Sequence, residues 1–178
     1  MSTVAGNGHA AESPPVAVVF ECAEDPVPGS VVFDQPDSAL ICVRTWGHMI
    51  DSGVLSSIEY AVGTYDLPLV IVLGHTDCSA LTAGDVSAPV GAAVRNVPRV
   101  LEQIGLESVL AGGTAVPEAV HLREVCEALV QRSPLLTARV AAGECAVAGV
   151  LRDGTGRAHL SVSVGDVGEL AMADNLAR

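Results

Sequence analysis

Residues 67–78 read "LPLVIVLGHTDC". The run of Val, Ile and Leu is short, β-branched and free of polar alternation. That pattern predicts a strand buried on both faces, as in a parallel sheet. Gly74 closes the run, and His75 and Cys78 follow directly. Two earlier runs have the same character: "VAVVF" (16–20), with Cys22 just after it, and "ALICV" (39–43), followed by "RTWGH". Between the second and third runs lies "DSGVLSSIEYAVGTYD" (51–66). Its Val54, Leu55, Ile58, Ala61 and Val62 share one face at helical spacing, with Asp51 or Ser52 as N-cap. Pro117 suits the first turn of a helix running to about Ser133, with Val120, Val125 and Leu129 facing inward. Residues 145–164 read as two strands joined by a glycine-containing turn. Segment 83–93 and the stretch around Gly112 and Gly113 read as loops. Strands alternating with helices imply βαβ units, hence an α/β fold with a mostly parallel central sheet.

Composition sets the outer limits. A chain of 178 residues that is 49% apolar suffices for one domain with its own core. Residues 1–15, small and polar and ending in two prolines, are expected to form a disordered arm, leaving 16–178 as one domain. They have neither the basic nor the apolar region of a signal peptide, and no later run is long enough to span a bilayer. A cytoplasmic location is expected. The five cysteines then read as free thiols or metal ligands rather than disulfides. A net charge of −12 argues against nucleic acid and anionic membranes as partners and does not specify which small-molecule substrate would bind.

Cys22 and the His75/Cys78 pair each lie just past the carboxyl end of a predicted parallel strand, the edge where α/β sheets gather ligands. One imidazole and two thiolates suit a zinc site with its fourth position open, where bound water would ionise near neutral pH. Spacing alone leaves an alternative: buried cysteines and a histidine that satisfies a backbone group.

The wider context favours the metal. "VRTWGHMIDSGVLSSIEYAVGTYDLPLVIVLGHTDCSAL" strongly resembles the β-class carbonic anhydrases, especially those of actinobacteria. "FECAEDPVPGSVVFDQ" is similar to that family's C-x-D-x-R segment and the F-D-Q after it. "HLREVCEALVQRSPLL" and "SVSVGDVGEL" resemble its late helix and closing segment. The resemblance covers about residues 16–170. It implies zinc held by Cys22, His75 and Cys78, a mixed and mainly parallel sheet flanked by helices, and a homodimer or higher homo-oligomer with active sites near the subunit interface. It also implies that Arg44 and His48 are structural and that Gln35 is the family glutamine of the pocket. The residues before Cys22 lack the helical periodicity of the family's embracing segment, so a different or smaller interface is expected.

The resemblance breaks at specific places. The family's aspartate–arginine dyad reads here as Glu24 and Pro26, in "CAEDP". Proline cannot make the bidentate contact that arginine makes with a carboxylate. Glu24, one methylene longer than aspartate, would reach the metal; alternatively Glu24 or Asp25 would act as general base. Trp46 and Ser79 stand where the family has small residues, and both are candidates for the substrate pocket. Asp77 reads as a surface or supporting carboxylate. Cys42, Cys126 and Cys145 read as small core residues. Four changes around one site lead to the expectation of a zinc lyase with chemistry altered from carbon dioxide hydration, on a small carbonyl-like or CO2-like substrate. The alternatives are an ordinary carbonic anhydrase and a catalytically silent zinc-binding homologue.

Overall fold

The computed structural model describes residues 14–82 and 117–167. Five strands form one sheet: β1 (Ala17–Cys22), β2 (Leu40–Thr45), β3 (Leu69–His75), β4 (Ala146–Arg152) and β5 (Ala158–Val164). Their spatial order is β2-β1-β3-β4-β5. The first four strands are parallel and β5 is antiparallel to β4, so the sheet is mixed and mainly parallel, as expected. The three apolar runs become strands, but each extends two residues further than the run itself. Ladder pairing carries the strand on, Cys22 opposite Thr45 and His75 opposite Arg152. Cys22 and His75 are therefore the last residues of their strands rather than residues beyond them.

Alternation across the strands sorts the core into two layers. Val18, Phe20, Val70, Val72 and Val147 point to one face, against α2 (Ser52–Tyr65), α3 (Pro117–Arg132) and α4 (Pro134–Ala141). Ala17, Val19, Ile71, Leu73 and Val150 point to the other, with Val32 of the short α1 (Gly29–Val32) packed against them. Burying one Val, Leu or Phe side chain contributes about 1.5–3 kcal/mol, and these two layers account for most of the buried chain.

Asp51 caps α2 by accepting the Val54 N–H at 2.8 Å, and Asp66 ends it in the left-handed conformation. The expected helix from Pro117 ends at Arg132, and a further helix follows it. Ser133 caps that helix and Pro134 opens it, a boundary readable in the dipeptide Ser-Pro. Cys126 and Cys145 are core residues as expected. Cys42 is a correction: it is exposed, because β2 is an edge strand whose residues alternate in burial. Residues 83–93, Gly112, Gly113 and most of the 1–15 arm lie outside the described residues. Among the described residues no helix is long and apolar enough to cross a membrane.

Candidate metal centre

Strand order decides where the site lies. The chain leaves β1 for β2 on one side, while β3 lies on the other, so the carboxyl ends of β1 and β3 flank the point where the order reverses. Cys22 ends β1 and His75 ends β3. Asp77, at φ 61°, turns the chain left-handed after β3 and returns Cys78 toward the same crevice. Ligand atoms of Cys22, Glu24, His75 and Cys78 all lie within 4.8 Å of one another.

The two sulfurs are 3.8 Å apart. Cys22 is fully buried, and the Gly47 N–H donates to its sulfur at 3.4 Å. Gly47 has φ 59°, and a Cβ there would lie 2.8 Å from that of Ala80, so both conformation and space require glycine. The Glu24 carboxylate accepts the Ser79 N–H at 2.8 Å and meets the Cys78 thiol at 3.6 Å through the same oxygen. His75 sets its Nδ1 against the Thr76 carbonyl at 3.0 Å, while its Nε2 is buried without a hydrogen-bond partner.

The thiols share one proton unequally. The hydrogen bond with Cys78 is the main reason that the Cys22 pKa falls to about 5; burial opposes the fall, and the N–H groups of Glu24 and Gly47 assist it. Cys78 is pushed up, chiefly by that same hydrogen bond. Burial works against a charged His75, yet the Cys22 thiolate and the Thr76 carbonyl outweigh it and raise its pKa. Burial likewise opposes ionisation of Glu24, but hydrogen bonds from Ser79 hold it below the ordinary carboxylate value.

A family profile described as carbonic anhydrase matches residues 17–156. Carbonic anhydrase 2 of Mycobacterium tuberculosis is 39% identical over 173 residues, covering 91% of this chain and 82% of the relative. The carbonic anhydrase of Mycolicibacterium smegmatis is 40% identical, covering 88% and 79%. The chain belongs to the β-carbonic anhydrase family. Solved structures agree in fold. Coccomyxa β-carbonic anhydrase in complex with acetazolamide superposes with a TM-score of 0.69 at 22% identity, over 87% of this chain and 77% of that one. A tetrameric β-carbonic anhydrase of Sordaria macrospora gives 0.67 at 18%, over 82% and 80%.

β-Carbonic anhydrases are zinc lyases, and zinc is this enzyme's cofactor. The donor set fits that ion on its own geometry. A Zn–S bond of about 2.3 Å gives a tetrahedron with an edge of about 3.8 Å, which is the separation of the Cys22 and Cys78 sulfurs. The partnerless, buried Nε2 of His75 beside them is what a metal-binding imidazole leaves when its other nitrogen is tied to a carbonyl.

The remaining residues singled out in the sequence fall into two groups. Glu24 and Ser79 meet at the cluster, as above. Asp25 is turned away from it, with both carboxylate oxygens on the Arg152 guanidinium at 2.7 and 3.0 Å. Trp46 is 45% exposed and opens the turn that carries Gly47. Gln35 is exposed and folds back on its own loop, donating to the Phe33 carbonyl at 3.3 Å. His48 and Arg44 are structural in their contacts: His48 is buried against the Leu73 carbonyl at 2.9 Å, and Arg44 donates to the Cys22 carbonyl at 3.3 Å. Asp77 is at the surface.

Two residues escaped the sequence reading. Arg152 carries no local signal, since its partner is 127 positions away. His121, whose Nε2 lies 3.1 Å from the Gly47 carbonyl, packs 5.6 Å from the His48 ring. With Glu118, Leu81 and Leu122 these rings line a cavity of about 10 Å³ beside His75 and Cys78, room for a water-sized molecule.

Proposed function

We propose that this chain interconverts carbon dioxide and bicarbonate, with Cys22, His75 and Cys78 holding zinc and Glu24 closing and opening its fourth position. The observation that carries the reading is the four-donor cluster, with two sulfurs at the tetrahedral edge distance and a buried, partnerless imidazole nitrogen. The relatives named carbonic anhydrase support the reaction class.

When bound, zinc supplies a Lewis acid that brings the ionisation of water toward neutral pH. The protein's own groups do the rest. The Cys78 hydrogen bond, assisted by the Glu24 and Gly47 N–H groups, favours the Cys22 thiolate, and the Thr76 carbonyl orients the His75 ring. Glu24, held as a carboxylate by Ser79, closes the site in one position; displaced, it stands beside the reacting water as a proton acceptor. Asp25 is unsuited to that task, since Arg152 and the Val27 N–H at 2.9 Å already engage its oxygens.

The pairing of Asp25 with Arg152 weakens one motive for altered chemistry, the missing arginine, because an arginine again binds the acidic turn. Trp46 favours the second reading, a larger carbonyl-like or heterocumulene substrate, since its indole is open to solvent on the turn that touches Cys22. The tetrameric relative and the exposed Tyr60, Tyr65 and Val31 support a homo-oligomer, and the unpaired thiols support a cytoplasmic home.

A stopped-flow carbon dioxide hydration assay on zinc-loaded protein tests the reaction. Activity in the native protein supports hydration. Activity confined to the Glu24→Asp, Pro26→Arg double variant, with full zinc in both, points to the second reading.

A further inference from the structure

We propose that Arg152 is a positioning residue: by clamping Asp25 from the end of β4, it sets where Glu24 stands against the metal donors. The inference rests on the metal reading of the site but not on the identity of the substrate.

The clamp is built from three strands. Arg152 ends β4, directly opposite His75 in the β3–β4 ladder, and its carbonyl accepts the Thr76 N–H at 3.1 Å. Its backbone is thus tied to the turn that bears one metal donor. Its side chain reaches across to the turn after β1, where Nε and Nη2 bind the two oxygens of Asp25 in a fork. The Val27 N–H adds a third hydrogen bond to the same carboxylate. Asp25 is only 3% exposed, so little solvent competes for it. A bidentate guanidinium–carboxylate pair fixes direction as well as distance.

Glu24 is the next residue back and projects the other way, toward Ser79 and Cys78. Glu24 and Asp25 share the backbone of a short turn, so anchoring Asp25 fixes the Cα from which the Glu24 side chain reaches the donors. Arg44 holds the same turn from the β2 side. It donates to the carbonyls of Cys22 and Asp25 and pairs with the buried Glu21 at 3.1 Å. Of the two arginines, only Arg152 grips a side chain of the turn.

The consequence is measurable as competition for the fourth metal position. With the clamp intact, Glu24 is held close and excludes an added anion. With the clamp released, Glu24 is displaced more readily and the anion binds more tightly. The experiment uses the full chain loaded with Co(II), whose visible spectrum reports the fourth ligand, and azide as the probe anion. Arg152→Ala is expected to tighten azide binding about tenfold at unchanged cobalt content. Glu24→Gln is expected to tighten it at least as much, and Arg152→Ala to add nothing in that background, because the clamp acts through Glu24. Arg152→Lys keeps the charge but loses the fork, and falls between the two; it carries the test should the alanine variant not fold. Azide affinity within twofold of the parent in both Arg152 variants would overturn the clamp alone. So would a tightening by Arg152→Ala that persists in full when Glu24 is already glutamine. A native chain that takes up no cobalt would overturn the metal reading, and the clamp with it.

Discussion

Two turns supply the donors of this site, and they are held by different forces. The end of β3 and the turn after it, carrying His75 and Cys78, are held mainly through their own backbone groups. Its Thr76 N–H bonds to the Arg152 carbonyl, and His48 bonds to the Leu73 carbonyl just before it. The end of β1 and the turn after it, carrying Cys22 and Glu24, keep one backbone bond, Ala23 N–H to the Thr45 carbonyl, and are otherwise gripped by Arg44 and Arg152. Backbone hydrogen bonds fix a turn in one shape, whereas charged side chains hold one that a side-chain substitution can release. His75 and Glu24, proposed as a fixed imidazole and a displaceable fourth group, thereby lie on separate segments.

That contrast can be tested most strongly at the Trp46–His48 turn, which packs against both segments. Gly47→Ala forces a Cβ into the Ala80 methyl at a left-handed φ, and it moves the N–H that faces the Cys22 sulfur. The expected cost is about 1–3 kcal/mol, measured by urea unfolding of the metal-free protein. The same change is expected to lower zinc affinity. A fully stable Gly47→Ala chain would show that the turn tolerates adjustment after all.

Acid gives a subtler test. The His48 pKa is lowered from 6.5 to about 3, by burial first and by His121 second. Its neutral form is therefore the folded form, so its stability contribution is full above about pH 6.5 and is lost as pH falls toward 3. For Asp25, burial works against the charge, but Arg152 holds its pKa below the ordinary 3.8. Its contribution is full above pH 3.8 and is lost only below that. Hydrogen exchange on metal-free protein should show protection around His48 and Leu73 starting to decline below pH 6.5. Protection at Val27, whose N–H bonds the Asp25 carboxylate, should persist until pH 3.8. The reverse order would contradict the directions in which burial shifts His48 and Arg152 shifts Asp25.

Much of this was legible in the sequence, for local reasons. Continuous β-branched runs announced β1, β2 and β3, and helical spacing with Asp51 at its head announced α2. The candidate zinc donors stood out because they follow apolar runs. What stayed hidden depends on distance along the chain. No periodicity links Asp25 to Arg152, and the sequence therefore shows a lost dyad where the fold shows a new ion pair. Cys42 was misjudged because an apolar neighbourhood does not tell an edge strand from a central one. The second helix of the late pair was missed although Ser133-Pro134 marks its start.

The most direct measurement is metal analysis of the purified native chain, with His75→Ala as control. About one zinc per chain is predicted, with Cys22 shielded from thiol reagents, falling below about a tenth in His75→Ala. A native chain without zinc, in which Cys22 reacts freely with a thiol probe, would contradict the account.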